Sequence, residues 1–147
     1  MLLCATVLWC AVIWQFSLSP AGESAAESGE VMELCNGFFA RLGSKIKLSS
    51  HTVRKLAHFA EFAVLGVLAT ATLWQFGFSH YLLLSPAVCA VAATTDECIQ
   101  LFVPGRGPAV LDVLLDISGG IFGALCAWLL LRFILYIINK KEKSKIN

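Results

Sequence analysis

The chain has 147 residues, of which 58% are hydrophobic and 14% charged, and its formal net charge is +1. Soluble domains carry about 45–50% apolar and about 25% charged residues, and a soluble domain this short leaves too much surface in water to hide so many apolar side chains. The small net charge excludes the basic surface that nucleic-acid binding needs. The composition therefore predicts a single polytopic membrane domain over residues 1–147.

The first predicted element is an apolar, uncharged helix over residues 2–18, about as short as a membrane-spanning helix can be. A cleaved signal peptide is the rival interpretation. Signal peptides begin with basic residues, whereas the first basic residue here is Arg41. We therefore expect a retained helix, and the missing basic flank leaves open a start upstream of Met1.

The second predicted element is an amphipathic helix over residues 24–47, lying flat at the membrane surface. Ser24 and Glu27 have the spacing of a capping box at its start. Its apolar residues recur at intervals of three and four, which is typical of one helical stripe. The stripe comprises Val31, Leu34, Cys35, Phe38, Phe39, Leu42 and Ile46. A surface loop with incidental periodicity is the alternative.

Three further apolar runs predict membrane spans over residues 56–78, 81–103 and 111–138. The turn of residues 77–80 is short enough to make the first two antiparallel neighbours. The fold predicted from these runs is an all-α up-down bundle of about four transmembrane helices plus one interfacial amphipathic helix.

Small residues and charges mark the last predicted span. Gly119 and Gly123 are four residues apart, as are Gly120 and Ala124, and this spacing predicts close backbone approach between helices in lipid. The span ends in a basic tail of Lys140, Lys141, Lys143 and Lys145. A basic tail favours a cytoplasmic C-terminus, whereas a bare count of basic residues favours the opposite orientation, because the loops at the other face contain Arg41, Lys45, Lys47, Arg54, Lys55 and Arg106. We expect a multi-pass protein of the cell membrane with its C-terminus inside. The residue range 104–108, with a proline at each end, breaks the chain before this span.

Polar residues gather at one end of the predicted bundle, because up-down alternation brings alternate helix ends to the same membrane face. A carboxylate near the bilayer centre costs on the order of 3 kcal/mol by insertion scales. These carboxylates are therefore expected to pair with cations or to line a water-filled pocket. The predicted site comprises Ser17, Lys55, His58, Glu61, Asp96, Glu97, Gln100, Arg106, Asp112 and Asp116.

The residue types in this site suggest two roles. The candidate acid–base catalysts are His58, Glu61, Asp96 and Glu97. The candidate ligand-binding residues are Ser17, Lys55, Gln100, Arg106, Asp112 and Asp116. We expect no cofactor and assign no metal ligand, although the histidine and the carboxylates together offer enough ligands for a divalent ion. Ion pairs that only hold the bundle together are the structural alternative.

Four sequence blocks resemble the VanZ-like membrane protein family. They run over residues 16–20, 54–62, 96–106 and 112–120, and they read FSLSP, RKLAHFAEF, DECIQLFVPGR and DVLLDISGG. The resemblance covers nearly the whole chain. Two departures are the missing basic residues before the first helix and Phe62, where members commonly carry tyrosine.

The resemblance implies a link to glycopeptide antibiotics, since the founding member of the family confers low-level teicoplanin resistance, but it implies no particular reaction. We expect a polar pocket at the outer membrane face that binds or modifies an anionic envelope lipid or lipid-linked precursor headgroup. The expected partners are therefore membrane lipids or such a precursor, with no nucleic acid and with the oligomeric state open. A metal-dependent membrane hydrolase and a non-catalytic scaffold are the alternatives, and catalysis itself stays open.

Overall fold

The computed structural model describes residues 1–107 and 109–146, without the side chains of residues 142 and 144–146. Pro108 and the Lys145 side chain, which enter the sequence predictions, lie outside the described residues. The described chain forms five helices: α1 (Leu2–Ser17), α2 (Ala21–Arg41), α3 (Ser50–Gln75), α4 (Tyr81–Gln100) and α5 (Val110–Ile146).

Three of these helices are long and apolar enough to cross a membrane, namely α3, α4 and the Val110–Lys141 part of α5. Helices α1 and α2 meet at a bend of 105° and make a fourth candidate if the pair is one broken span. Alone, the 16 residues of α1 extend about 24 Å, less than the roughly 30 Å hydrocarbon core. The all-helical membrane architecture predicted from the sequence is confirmed, with three to four candidate spans.

Helix α2 differs from its prediction at both ends. It begins at Ala21 after Pro20, which has φ −54° and ψ 149°. The capping box was wrong, because the proline starts the helix early and leaves Ser24 buried within it. The helix ends before Gly43, whose φ of 73° suits only glycine without strain, so the predicted extension to residue 47 was wrong too.

The residues after α2 are tied back to the helix by Asn36. Its side-chain amide donates to the Leu48 carbonyl oxygen at 3.0 Å, and its Oδ1 accepts from the Leu48 backbone N–H at 2.8 Å. Ser49 then caps α3 by accepting a hydrogen bond from the Thr52 backbone N–H at 3.1 Å. The connection therefore fixes how α2 lies against α3.

Helices α3 and α5 pack most closely in the bundle, and glycines make this possible. A Cβ atom added at Gly123 would meet the carbonyl oxygen of Ala63, and one at Gly119 would meet that of Phe59. Across the same contact, a Cβ at Gly66 would meet the carbonyl oxygen of Gly120. This confirms the close approach predicted from the spacing of the small residues in the last span.

Helix α1 packs against α3 and α4 through side chains that combine apolar bulk with a hydrogen-bond donor. The Trp9 indole donates to the Glu61 carbonyl oxygen at 2.9 Å, and the Trp14 indole donates to that of Ala92 at 3.3 Å. Ile13 is fully buried between them in the core. These contacts place the C-terminal end of α1 beside the end of α4, where the polar residues lie.

Candidate functional site

A polar cavity of about 90 Å³ lies where α3 and α5 begin and α4 ends. Since a water molecule needs roughly 10–15 Å³ of such volume, the cavity holds several waters or a small polar group. We call it the polar cavity. Its lining residues are Arg54, Lys55, His58, Glu97, Gln100, Gly105, Arg106, Gly107, Asp112, Leu115 and Asp116.

A second space of about 210 Å³, which we call the lateral groove, is bounded by α1, α2 and α3. It shares Arg54, His58 and Arg106 with the polar cavity, so the two spaces meet at these side chains. The remaining walls are mixed in character. They consist of Phe16, Ser24, Glu27, Ser28, Val31, Val53, Ala57 and Glu61.

The loop after α4 positions Arg106. Gly105 has φ 78°, a left-handed conformation that glycine adopts without strain, and the Arg106 backbone N–H donates to the Val103 carbonyl oxygen at 3.2 Å. The Ala21 backbone N–H donates to the Pro104 carbonyl oxygen at 3.5 Å, which joins the loop to the start of α2. The Pro-Gly turn thus aims Arg106 back toward the bundle.

Glu97 supports the other side of this loop. Its Oε2 accepts a hydrogen bond from the Ala109 backbone N–H at 2.8 Å, one residue before α5 begins. A carboxylate at a helix N-terminus satisfies a free amide and complements the helix dipole. Glu97 therefore links the end of α4 to the start of α5 as well as lining the polar cavity.

Arg54 and Arg106 face the junction of the cavity and the groove without a carboxylate partner. Among the described residues, the ion pairs are Lys55 with Asp112 and His58 with Asp116, and neither involves an arginine. The Arg106 Nε is buried and has no hydrogen-bond partner among the described residues. Burial, and then the neighbouring Arg54 guanidinium, lower the pKa of Arg106 from its ordinary value. Two cations thus face one space, and neither forms an ion pair with a carboxylate among the described residues, although Glu27 and Glu97 line the same two spaces.

Two buried carboxylates lie at the polar cavity, Asp116 in its lining and Asp96 behind it. Asp96 and Asp116 are buried, with 0% and 1% of their surface exposed. One Asp96 oxygen accepts from the Gln100 amide at 2.9 Å, and that amide also lies 3.5 Å from the Ser17 hydroxyl, to which it donates. The other Asp96 oxygen and both Asp116 oxygens lack a hydrogen-bond partner among the described residues. We call these two carboxylates the acidic floor.

The imidazole of His58 lies close to both carboxylates of the acidic floor. Its Nδ1 lies 3.8 Å from Oδ1 of Asp116. One ligand atom from each of His58, Asp96 and Asp116 can be chosen so that all three lie within 4.8 Å of one another. Among the residues whose side chains are described, this is the group that can hold a metal ion.

The structure brings most of the predicted site residues to one place. Seven of the ten predicted residues line the polar cavity: Lys55, His58, Glu97, Gln100, Arg106, Asp112 and Asp116. Glu61 lines the lateral groove instead. Asp96 and Ser17 are buried behind the cavity wall, where both contact Gln100. Their roles stay predictions.

The sequence prediction missed one lining residue of consequence. Arg54 lines both the polar cavity and the lateral groove, but it is not among the ten residues that the sequence predicts for the site. The signal was present, because Arg54 precedes His58 by four residues and so lies on the same face of α3.

Comparison with known proteins identifies the family to which the chain belongs. The family model for VanZ/LLP1 matches residues 2–132, a range that contains the whole polar cavity and lateral groove. No curated protein and no solved structure matches the chain significantly. The match extends from α1 into α5 and agrees with the resemblance carried by the four sequence blocks. This membrane protein therefore belongs to the VanZ/LLP1 family.

Proposed function

We propose that this protein binds the anionic headgroup of an envelope lipid or lipid-linked precursor in its polar cavity. By holding that headgroup, it alters susceptibility to teicoplanin-type glycopeptides. The observation that carries the proposal is that the guanidinium groups of Arg54 and Arg106 face the same space and have no ion pair among the described residues. Guanidinium groups bind phosphate and carboxylate in two-point contacts, and an anion between them removes their mutual repulsion.

The lateral groove supports an amphipathic ligand over a free ion. Phe16, Val31 and Val53 give the groove apolar walls, and the same groove ends at Arg54 and Arg106. A lipid whose headgroup reaches the arginines can therefore lay the first part of its tail along these apolar side chains. Most small-ligand sites combine apolar walls with a few polar groups in this way.

The proposal includes a location. The protein is a multi-pass protein of the cell membrane, with the polar cavity at the outer face and the C-terminus in the cytoplasm. The lysine tail supports this orientation. Single cysteines at positions 107 and 79, labelled with an impermeant reagent in intact cells, test it. Labelling at position 107 alone is expected, and labelling at position 79 alone would overturn the orientation.

Direct binding gives the first test. The purified chain is mixed with phosphatidylglycerol or phosphatidylcholine and the bound lipid is counted by native mass spectrometry. We expect a preference for phosphatidylglycerol that falls at least tenfold in Arg54→Ala and Arg106→Ala. Arg106→Lys should fall as well, because lysine offers a point charge in place of a fork. Arg132→Ala is the control, since that exposed arginine lies over the Trp128 ring, outside the site.

The cellular test measures teicoplanin susceptibility in a sensitive Gram-positive host, together with the amount of each variant in the membrane. We expect His58→Ala, Glu97→Ala and Arg106→Ala to lose protection while Arg132→Ala keeps it. If all three site variants accumulate normally and protect as the parent does, the site residues serve the fold alone. The protein would then act as a scaffold.

A further inference from the structure

We propose that His58, Asp96 and Asp116 bind one divalent metal ion on the acidic floor of the polar cavity. This goes beyond headgroup binding and stands on different side chains, since the proposed headgroup contacts are arginines. The ion is of the class that combines imidazole nitrogen with carboxylate oxygen, such as Zn²⁺ or Mn²⁺.

The geometry is close to that of a coordination shell. One ligand atom from each of the three residues lies within 4.8 Å of the other two, and His58 Nδ1 is 3.8 Å from Asp116 Oδ1. Ligands of a tetrahedral Zn²⁺ are about 3.4 Å apart when each bond is about 2.1 Å. Small side-chain rotations therefore suffice to close the shell, and three different helices contribute a ligand each.

A second observation, independent of the ligand spacing, is that buried carboxylate oxygens of Asp96 and Asp116 have no hydrogen-bond partner among the described residues. Asp116 is 1% exposed, and neither of its carboxylate oxygens has a hydrogen-bond donor among the described residues. Asp96 is fully buried, and one of its carboxylate oxygens also has no hydrogen-bond donor among the described residues. Buried carboxylates are ordinarily paired, hydrogen-bonded or metal-bound. Lys55, which lines the same cavity, forms its ion pair with Asp112 instead.

The second Asp96 oxygen is held in a way that suits a ligand. It accepts a 2.9 Å hydrogen bond from the Gln100 amide, and this amide also donates to the Ser17 hydroxyl at 3.5 Å. Hydrogen bonds to the non-coordinating atom of a ligand fix its orientation, and this support is common around metal sites. Gln100 and Ser17 thus have a defined place in the site, as residues that position Asp96.

The charges of the site also favour a divalent cation. The polar cavity, the lateral groove and the buried wall behind them contain three cationic side chains, of Arg54, Lys55 and Arg106, and six carboxyl groups, of Glu27, Glu61, Asp96, Glu97, Asp112 and Asp116. With every carboxyl ionised and His58 neutral, three negative charges are in excess. A divalent ion offsets two of them, and its open positions face the same cavity as the arginines. An anionic oxygen can then bind between the metal and the two guanidinium groups.

The test is a metal titration of the purified full chain in detergent, after removal of metal with a chelator and without added lipid. Calorimetry with Zn²⁺ is expected to give one site per chain. Asp116→Asn and Asp96→Asn keep the side-chain shape but remove the charge, and they should weaken binding at least tenfold. Glu33→Gln, which alters an exposed carboxylate on α2, should bind as the parent does. Gel filtration shows that each variant stays monodisperse.

The parent chain gives a second measurement that does not depend on variant folding. Electron spin-echo spectroscopy of bound Mn²⁺ should show one imidazole nitrogen, and His58→Gln should lose that signal. The proposal is overturned by a parent that binds no ion, by aspartate variants that bind as the parent does, or by bound Mn²⁺ without an imidazole. A parent that binds no ion would indicate that the aspartates share protons instead. Because no lipid is present, failure here leaves headgroup binding standing, and failure of lipid binding leaves this site standing.

Discussion

The Nζ of Lys55 lies 2.9 Å from Oδ1 of Asp112, an ion pair that joins the first turn of α5 to the beginning of α3. Their side chains are 37% and 34% exposed, so solvent screens the pair and limits its contribution to about 0–1 kcal/mol. The main effect of the pair is on anion binding, because it engages the ammonium group of Lys55. Lys55 already has a carboxylate, which leaves Arg54 and Arg106 as the cations available to an anionic ligand.

Replacing Asp112 should therefore strengthen anion binding while changing stability little. We expect Asp112→Asn to raise the affinity for phosphatidylglycerol severalfold, because it frees Lys55 and removes a negative charge from the cavity rim. The free energy of unfolding should fall by less than about 1 kcal/mol. Native mass spectrometry and thermal unfolding in detergent measure the two effects, with Glu33→Gln as the control. Weaker lipid binding in Asp112→Asn would show that the ion pair itself shapes the headgroup site.

The glycine contact between α3 and α5 predicts a large cost for a single methyl group. Gly123→Ala places a Cβ against the Ala63 carbonyl oxygen, which cannot move without its helix. Forced overpacking of this kind costs about 1–3 kcal/mol, so the melting temperature in detergent should fall. Gly37→Ala is the matched control, since a Cβ there meets no atom within 4 Å and alanine favours helix by up to about 1 kcal/mol. Equal melting temperatures for the two variants would contradict the close packing.

Much of this fold follows from one-dimensional patterns. Apolar runs locate α3, α4 and α5, and alternation of their directions brings the charged ends together. The four-residue spacing of Gly119 and Gly123 predicts the tight contact, because small residues on one helix face allow the backbone of a neighbouring helix to approach closely. Patterns of this kind depend on neighbours in the chain, so they are readable from the sequence.

The errors come from interactions that the sequence does not display. Ser24 and Glu27 have the spacing of a capping box, but the start of α2 is decided by Pro20 and by contact with the loop at Pro104. The four-residue spacing places Arg54 on the same face of α3 as His58, but the spacing alone does not show that its guanidinium group also faces the lateral groove. The unpartnered oxygens of Asp116 are also invisible in sequence, since pairing depends on three helices at once.

Glu97 offers a way to separate support of the loop from charge in the cavity. Glu97→Gln keeps an acceptor for the Ala109 N–H, whereas Glu97→Ala removes it. We expect the alanine variant to lose about 1 kcal/mol, as helix caps do, and to speed hydrogen exchange in the loop that carries Arg106. The glutamine variant should exchange as the parent does. Equal exchange in the parent and both variants would show that this hydrogen bond does not hold the loop.

Blocking the lateral groove should impair lipid binding without touching a charged group. Ala57 is exposed and lines the groove, and a phenylalanine there would fill the space between α2 and α3. Ala60 lies three residues later on the same helix, is also exposed and does not line the groove. We expect Ala57→Phe to reduce binding of two-chain phosphatidylglycerol at least tenfold and Ala60→Phe to leave it unchanged. If Ala57→Phe binds the lipid as the parent does, the tail does not occupy the groove.

The orientation of α2 leads to the last prediction, because its buried and exposed residues lie on different sides of the helix. Cys35 and the residues in line with it are half-buried toward the bundle, which packs α2 against α3. Leu34 and Phe38 are 75% and 60% exposed, and Glu30 and Glu33 are exposed beside them, where they line the same surface depression. A helix with adjoining apolar and charged faces settles at the boundary of lipid and water.

Nitroxide labels test this placement of α2 in a background whose native cysteines are replaced. Labels at positions 34 and 38 should be relaxed by dissolved oxygen, which concentrates in lipid, and labels at positions 30 and 33 by a water-soluble nickel complex. A label at position 35 should respond weakly to both, because the bundle covers it. Strong nickel relaxation at all five positions would place α2 in water, where it could no longer cover the lateral groove from the membrane surface.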